Sequence, residues 1–207
     1  EENGKKRREV GTAIIKKLTA NGHRALFAGG YVRDMLMSAP DTGDIDIATD
    51  AVPARISALF PHVFGVGEHF GVMIVVEKNV PFEIATFRSD VGIGDGRHPE
   101  SVRFSNERED AFRRDFTING LFLDPLTDEV FDYVGGRQDL EGGVIRAIGD
   151  PETRFREDYL RMLRAVRFAA NLNFCIESKT WDAFSSHPER ITEMSQERIF
   201  QELNKML

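Results

Sequence analysis

The sequence has little of several features that usually narrow the class of a protein. Cys175 is the only cysteine among 207 residues, which excludes an intrachain disulfide and a zinc site built from several thiolates. No apolar run reaches the roughly 18 residues of a membrane-spanning helix. The charged start of the chain lacks the apolar stretch of a secretory signal peptide, so we expect none. Together with the single cysteine, this favours a reducing compartment and cytoplasmic localisation.

The composition is that of an ordinary globular protein, with 41% hydrophobic and 29% charged residues. A net charge of -7 argues against a protein that coats nucleic acid along its length, but it leaves room for an enzyme that meets RNA at one local site. The histidines show no metal-ligand spacing, so no zinc site is expected. The glycine patterns typical of Rossmann and P-loop nucleotide sites are absent.

The apolar pattern predicts an α+β fold in which a small mixed sheet with flanking helices is followed by an all-helical segment. Helical spacing is expected over residues 5–20, and strands over 24–28, 44–49, 72–77 and 82–87, the last two joined by a linker at 78–81. Residues 89–101 are polar and rich in glycine, which predicts a loop. Beyond residue 151 the pattern is helical throughout, with one long helix over 152–171.

The most informative short segment is Asp44-Ile45-Asp46-Ile47. Residues two apart share one face of a strand, so the two aspartates are expected to point together while the isoleucines enter the core. Two neighbouring carboxylates repel each other unless a cation sits between them, and Mg²⁺ prefers such oxygen ligands. The pattern taken alone favours an edge strand with two solvated aspartates.

A second segment, Phe27-Ala28-Gly29-Gly30, is followed by Arg33. A strand that ends in two glycines and opens a helix lets backbone N–H groups approach phosphate oxygens, and Arg33 lies one turn into that helix. The two glycines by themselves favour a simple tight turn.

These segments resemble the nucleotidyltransferases of the DNA polymerase β superfamily, and more closely the class II tRNA nucleotidyltransferase and bacterial poly(A) polymerase family. Further stretches carry the resemblance in the order typical of that family: Glu83-Ile84-Ala85-Thr86-Phe87-Arg88, Arg113-Arg114-Asp115-Phe116-Thr117-Ile118-Asn119, Asp132-Tyr133-Val134-Gly135-Gly136 and Glu157-Asp158-Tyr159-Leu160-Arg161-Met162-Leu163-Arg164-Ala165-Val166-Arg167-Phe168.

The resemblance implies a polymerase β-like head domain whose carboxylates Asp44 and Asp46 hold magnesium, with two ions expected. Glu83 is a candidate third carboxylate, either a metal ligand or the base for an RNA 3′ hydroxyl, and a surface glutamate is the alternative. The resemblance also assigns Arg114 to nucleotide binding, with Asp115 and Asn119 contacting the ribose or supporting the pocket. An ion pair between Arg114 and a nearby acid is the alternative.

Base selection is implied by the last stretch. If residues 158–164 form one helix, Asp158, Arg161 and Arg164 share a broad face. A carboxylate accepts hydrogen bonds and a guanidinium donates them, which suits the amine and ring nitrogen of cytosine and adenine but not uracil or guanine. Arg164 and Arg167 are expected to reach phosphate or the acids of their own helix. A helix laced with solvated charges is the alternative.

The implied function is addition of C and/or A from CTP or ATP to RNA 3′ ends, with tRNA as the favoured acceptor, by two-metal phosphoryl transfer. Residues 95–99 resemble the tRNA enzymes more than poly(A) polymerases, which leaves poly(A) tailing as an alternative. A non-catalytic nucleotide- or RNA-binding module is the alternative from another class. We expect an N-terminal helix over 1–22, the head over 23–150 and a helical neck over 151–207 that is the truncated start of an RNA-binding region.

Overall fold

The computed structural model describes residues 2–39, 44–67, 70–92 and 101–206. Its fold is α+β, as predicted, with one larger mixed sheet, flanking helices and a mostly helical C-terminal part. The helices are α1 (Glu2–Ala20), α2 (Gly30–Leu36), α3 (Pro53–Leu59), α4 (Glu107–Arg113), α5 (Gly136–Gly142), α6 (Pro151–Glu157), α7 (Leu160–Leu172), α8 (Ser178–Ser186) and α9 (Gln196–Asn204). None of those helices is both long and apolar enough to cross a membrane.

Eleven strands are found within the described ranges, and seven of them form one sheet in the order β3-β4-β5-β2-β1-β8-β9. The strands are β1 (Ala25–Ala28), β2 (Asp46–Thr49), β3 (Val63–Gly67), β4 (Val72–Glu77), β5 (Val80–Thr86), β6 (Arg88–Val91), β7 (Ser101–Phe104), β8 (Leu121–Asp124), β9 (Glu129–Asp132), β10 (Val144–Ile145) and β11 (Cys175–Ile176).

Strand β1 lies near the middle of the large sheet and is buried on both faces. Phe27 packs in the same apolar cluster as Ile14 and Leu18 of α1, whereas Leu26 belongs to a second cluster with Phe122. Because successive residues of a strand point to opposite faces, a strand covered on both sides must be apolar throughout. This accounts for the unbroken apolar run that ends at the two glycines.

The predicted linker at residues 78–81 is shorter than expected. Val80 and Pro81 belong to β5 and pair with β4, so the turn consists of Lys78 and Asn79. Both residues have positive φ values, 50° and 62°, which is the geometry of the two-residue turns that match strand twist. Pro81 is tolerated because β2 pairs with β5 only from Glu83 onward. The N–H that proline lacks is therefore not needed for a hydrogen bond to β2.

The loop predicted at residues 89–101 is also partly wrong. Residues 89–91 belong to β6 and pair antiparallel with β7, which starts at Ser101, so both ends of the segment are strands. Cross-strand hydrogen bonding overrides the polar composition there. Residues 95–99, on which the resemblance to tRNA enzymes depends, lie outside the described residues.

The C-terminal part differs from the continuous helix predicted over residues 152–171. α6 ends at Glu157 and α7 begins at Leu160, with Asp158 extended at φ −155° and ψ 105°. The Asp158 carboxylate accepts a hydrogen bond from the backbone N–H of Leu160, the local bond that makes aspartate favour helix starts over helix interiors. The prediction of helix alone beyond residue 151 also fails at β11, which pairs in parallel with β10.

Candidate functional site

One cleft of about 420 Å³ is lined both by elements of the large sheet and by helix α7. Most of the site residues predicted from the sequence line it together: Gly29, Gly30, Arg33, Asp46, Arg114, Asp115, Asn119, Asp158, Arg161 and Arg164. Asp44, Glu83 and Arg167 do not belong to that lining. Asp90, Arg113 and Phe168 line the cleft as well, although the sequence reasoning did not select them.

The two aspartates have the alternating exposure predicted for them. Asp44 and Asp46 are exposed, whereas Ile45 and Ile47 are 2% and 1% exposed. The strand itself begins only at Asp46, so Asp44 lies just before it rather than within it. Asp46 is the register partner of Glu83 on the parallel neighbouring strand β5, which brings a third carboxylate beside the pair.

The electrostatics of these carboxylates indicate crowded negative charge. Desolvation by the surrounding protein raises the pKa of Asp46 although the cleft leaves its side chain accessible, and Asp44 raises it further against the opposing effect of Arg114. Desolvation also raises the pKa of Glu83, and the charge of Asp46 adds to that rise. Their negative charges are therefore only partly balanced by the protein's own cations.

The glycine turn at the end of β1 requires its first glycine for two reasons. Gly29 has a φ of 68°, and a Cβ there would lie 3.0 Å from Nη1 of Arg114. Its backbone N–H already donates to the carbonyl of Leu121 at 3.0 Å, so this glycine shapes the turn rather than offering a free donor. Arg33, one turn further on, donates through Nη1 to Oδ1 of Asn119 at 2.8 Å.

Arg114 forms the ion pair that the sequence left as an alternative to nucleotide binding. Its Nε and Nη2 atoms donate to Oδ2 of Asp110 at 3.2 and 3.0 Å. Asp110 is 1% exposed and also accepts from Arg113 at 2.8 Å. Burial raises the pKa of Asp110, but the two arginines outweigh it and leave the pKa lowered. The sequence reasoning missed Asp110, although its spacing of four residues before Arg114 is a usable signal.

Asp115 is the most firmly charged carboxylate of the cleft. It accepts from Nε of Arg164 at 2.7 Å, from Asn119 at 3.1 Å and from the backbone N–H of Phe116 at 2.7 Å. Burial raises its pKa, yet Arg164 and these hydrogen bonds outweigh it and hold the pKa at about 2. Asp115 therefore fixes Arg164 of α7 against the 3-10 turn Thr117–Asn119.

The prediction that Asp158 shares a helical face with Arg161 and Arg164 is wrong, because Asp158 lies in the break between α6 and α7. Its carboxylate accepts two hydrogen bonds from Nη2 of Arg198 on α9, at 3.2 and 3.1 Å. Arg161 is turned toward Glu157, whose carboxylate accepts from its Nη1 at 2.7 Å. Both residues nonetheless line the cleft.

Arg167 has a partner in the last helix rather than in its own. Its Nε donates to Oε2 of Glu202 at 2.6 Å, and Glu202 is 3% exposed. Neither Glu202 nor Arg198 was selected from the sequence. The charged residues of α9 are spaced as in an ordinary amphipathic helix. The sequence pattern alone therefore does not indicate that Arg198 and Glu202 pair with residues in or beside α7.

Comparisons with known proteins identify two families along the chain. Residues 25–146 match the family described as the poly A polymerase head domain, and residues 173–207 match a family described as the probable RNA and SrmB-binding site of polymerase A. The CCA-adding enzyme of Geobacillus stearothermophilus is 42% identical over 195 residues, which are 94% of this chain and 48% of that protein. The CCA-adding enzyme of Bacillus subtilis is 41% identical over 94% of this chain and 49% of its own length.

Solved structures give the same relationship. The Bacillus stearothermophilus CCA-adding enzyme in complex with CTP superposes with a TM-score of 0.88 at 38% identity, over 97% of this chain and 48% of that one. The Thermotoga maritima CCA-adding enzyme complexed with tRNA gives a TM-score of 0.75 at 27% identity, over 97% and 46%. The chain thus spans about half the length of the relatives that it matches. Because the family match extends over residues 25–146, which is more than half of the chain, this chain belongs to the poly A polymerase head domain family.

Proposed function

We propose that this chain carries the nucleotide-binding and catalytic part of an enzyme that adds C and/or A from CTP or ATP to the 3′ ends of RNA, with tRNA as the favoured acceptor. The observation that carries the proposal is one cleft in which Asp46 of β2 lies among arginines from α2, from the end of α4 and from α7. Carboxylates that gather metal and arginines that bind phosphate form the set required for phosphoryl transfer from a nucleoside triphosphate.

The donor set at the acidic strand suits Mg²⁺. Mg²⁺ in nucleotide sites is usually held by one or two carboxylates together with waters and substrate phosphates, which is what Asp44 and Asp46 can offer. Desolvation, with a smaller contribution from the charge of Asp44, raises the pKa of Asp46, and a bound cation would stabilise its charged form. Within the described ranges no group of three His, Cys, Asp or Glu side chains is arranged around a common point, so substrate oxygens would complete the coordination.

In the reaction the RNA 3′ hydroxyl attacks the α-phosphorus, the bond between the α- and β-phosphates breaks, and pyrophosphate leaves. Mg²⁺ bound at Asp44 and Asp46 would polarise the phosphate and neutralise the leaving group. Glu83, the register partner of Asp46, is the candidate acceptor of the hydroxyl proton. Its raised pKa brings it closer to the range in which a carboxylate works as a general base.

The triphosphate is assigned to the arginines of the cleft. Arg33, Arg114 and Arg164 each donate to a protein group through part of the guanidinium, and each has five N–H donors. The unused donors can form charge-assisted bonds to phosphate oxygens. Arg167 is not assigned to the triphosphate, because it lies outside the cleft lining and pairs with Glu202.

Asp158 and Arg161 are assigned to the base. An acceptor beside a donor matches the exocyclic amine and ring nitrogen of cytosine and adenine, and it leaves uracil and guanine with unpaired groups. Use of CTP by this chain is further supported by the relative that was solved with CTP, which covers nearly all of this chain. The curated CCA-adding relatives favour tRNA as the acceptor over a general poly(A) tail.

The experiment that tests the proposal is calorimetric titration of this chain with CTP, ATP, UTP and GTP, with Ca²⁺ in place of Mg²⁺ to prevent turnover. Binding of CTP and ATP with rejection of UTP and GTP is the expected result. Binding of ATP alone would favour a poly(A)-tailing or A-adding enzyme. Failure to bind any of the four would contradict the proposal.

A matched assay tests catalysis. Labelled CTP and ATP are offered with Mg²⁺ to a tRNA transcript that ends just before CCA and, separately, to an oligo(A) RNA. Preferential labelling of the tRNA is expected. Nucleotide binding without metal-dependent labelling of either RNA would favour the non-catalytic module instead.

A further inference from the structure

One aromatic ring in the wall of the cleft is surrounded by three guanidinium groups. The ring belongs to Phe168 of α7 and is 7% exposed. The guanidinium carbons of Arg33 and Arg164 each lie 5.2 Å from its centroid, and that of Arg167 lies 4.2 Å from it. Arg33 belongs to α2, which packs beside the sheet, whereas Arg164 and Arg167 belong to α7 like Phe168 itself. The ring therefore contacts arginines from two separate helices.

The ring and the carboxylates act on different parts of these arginines. Asp34 accepts from Arg33 at 2.7 Å and Asp115 accepts from Arg164 at 2.7 Å, and such bonds use N–H groups at the edge of the guanidinium. An aromatic ring attracts a cation through its negative face and uses up none of the N–H donors. Contact with Phe168 can therefore hold both guanidiniums in place while leaving donors available to a ligand.

We propose that Phe168 is a positioning residue that sets the spacing of Arg33 and Arg164 for binding one triphosphate. This inference rests on the proposed function, because it takes the ligand of the cleft to be a nucleoside triphosphate. Without a ligand, like charges so close together repel, and the shared ring offsets part of that repulsion. Arg167, paired with buried Glu202, holds the ring from the side of α9.

Phe116 offers a matched control for the ring of Phe168. The two rings meet edge to face with centroids 5.9 Å apart, and Phe116 is 0% exposed in the same apolar cluster. Within the described ranges Phe116 takes part in no cation–π contact, so its truncation removes packing without removing a cation partner. Leucine at either position keeps an apolar side chain but has no aromatic face.

The first test compares Phe168→Leu, Phe168→Trp and Phe116→Leu by calorimetric titration with CTP and with CMP in the presence of Ca²⁺. Phe168→Leu should weaken CTP binding roughly tenfold and CMP binding much less, because the lost contacts position phosphate ligands. Phe168→Trp should retain most of the affinity. Equal loss of CTP affinity in Phe116→Leu, or unchanged affinity in Phe168→Leu, would overturn the proposal.

A second test needs no nucleotide. Phenylglyoxal modifies accessible arginines, and peptide mass spectrometry reports the rate at Arg33 and Arg164 separately. Both rates should rise in Phe168→Leu and stay close to wild type in Phe116→Leu. Equal rates in the two variants would overturn the positioning role even if the chain binds CTP. A wild-type chain that binds no nucleotide would instead contradict the proposed function and the triphosphate assignment with it.

Discussion

Arg198 of α9 donates two hydrogen bonds to the carboxylate of Asp158, at 3.1 and 3.2 Å, and so fixes a cleft residue from 40 positions further along the chain. Asp158 lies where α6 has ended and α7 has not yet begun, and within the described part of the chain the only local backbone donor to its carboxylate is the N–H of Leu160, which contacts Oδ1. The direction in which this carboxylate faces is therefore set jointly by the first turn of α7 and by the packing of α9 against α7. A residue that was proposed to read the base thus depends on a helix outside the cleft.

We predict that Arg198→Met weakens base discrimination rather than nucleotide binding as a whole. Without Arg198 the carboxylate of Asp158 can rotate, and its match to the amine of cytosine or adenine is lost. The ratio of the dissociation constants for UTP and CTP should fall roughly tenfold, measured by calorimetric titration with Ca²⁺. Arg190→Met is the control, because Arg190 pairs with exposed Glu193 outside the cleft. Unchanged discrimination in Arg198→Met would show that Asp158 needs no such support.

Asp46→Asn should abolish metal-dependent nucleotide addition and at the same time make the chain more stable. Removal of a carboxylate that is proposed to hold Mg²⁺ should cost roughly a thousandfold or more in rate, since metal stabilisation is worth several kcal/mol. The raised pKa means that the charged carboxylate is disfavoured in the folded chain, so its neutral isostere should raise the melting temperature at pH 7 without metal.

The pH dependence of that stabilisation has a definite sign. A carboxyl group whose folded pKa is raised destabilises the fold fully above that folded pKa, and the effect declines to nothing below its pKa in the unfolded chain. The advantage of Asp46→Asn should therefore vanish as the pH falls below the ordinary aspartate value of 3.8. Asp128→Asn, which removes an exposed carboxylate paired with Arg8, should change neither activity nor melting temperature by much. A lower melting temperature for Asp46→Asn at pH 7 would contradict this account.

Asp115→Asn should have the opposite effect on stability. The folded pKa of Asp115 is about 2 against an ordinary value of 3.8, so its charge contributes about 2 kcal/mol at neutral pH. That contribution is fully present above pH 4 and is lost as the pH falls through about 2. Urea unfolding at a series of pH values should show a gap between wild type and variant that closes over this interval. Asp182→Asn, on an exposed face of α8, is the control and should leave no gap at any pH.

Gly136→Ala should destabilise the chain and disturb the cleft, although Gly136 does not line it. A Cβ at Gly136 would overlap the carbonyl oxygen of Thr117, which begins the 3-10 turn that carries Asn119. Because backbone cannot yield as a flexible side chain does, we expect a loss of roughly 2–3 kcal/mol in unfolding free energy and weaker CTP binding.

Gly142→Ala in the same helix is the matched control for that substitution. Its nearest neighbour would be a methyl of Val144 at 3.6 Å, an ordinary contact, and alanine is the better helix former. Its unfolding free energy should stay within about 0.5 kcal/mol of wild type or rise slightly. Equal destabilisation by both substitutions would contradict the steric explanation.

Much of the local architecture could be predicted because it depends on periodicity within one element. The alternation of Asp44, Ile45, Asp46 and Ile47 predicts which side chains enter the core, and their exposures agree. Failures occurred where a hydrogen bond overrides propensity. The carboxylate of Asp158 bonds to the N–H of Leu160 and interrupts a segment whose apolar spacing is helical throughout.

The sequence by itself determined the α+β class, the buried strand before Gly29 and the order of motifs that places this chain in its family, because each depends on residues close together in the chain. Only the tertiary structure decided which partners the charged side chains meet. Asp158 with Arg198, Arg164 with Asp115 and Arg33 with Phe168 join residues 40, 49 and 135 positions apart. No periodicity encodes such pairs, because they arise when separately formed helices pack around the sheet and their charged side chains must find partners on burial.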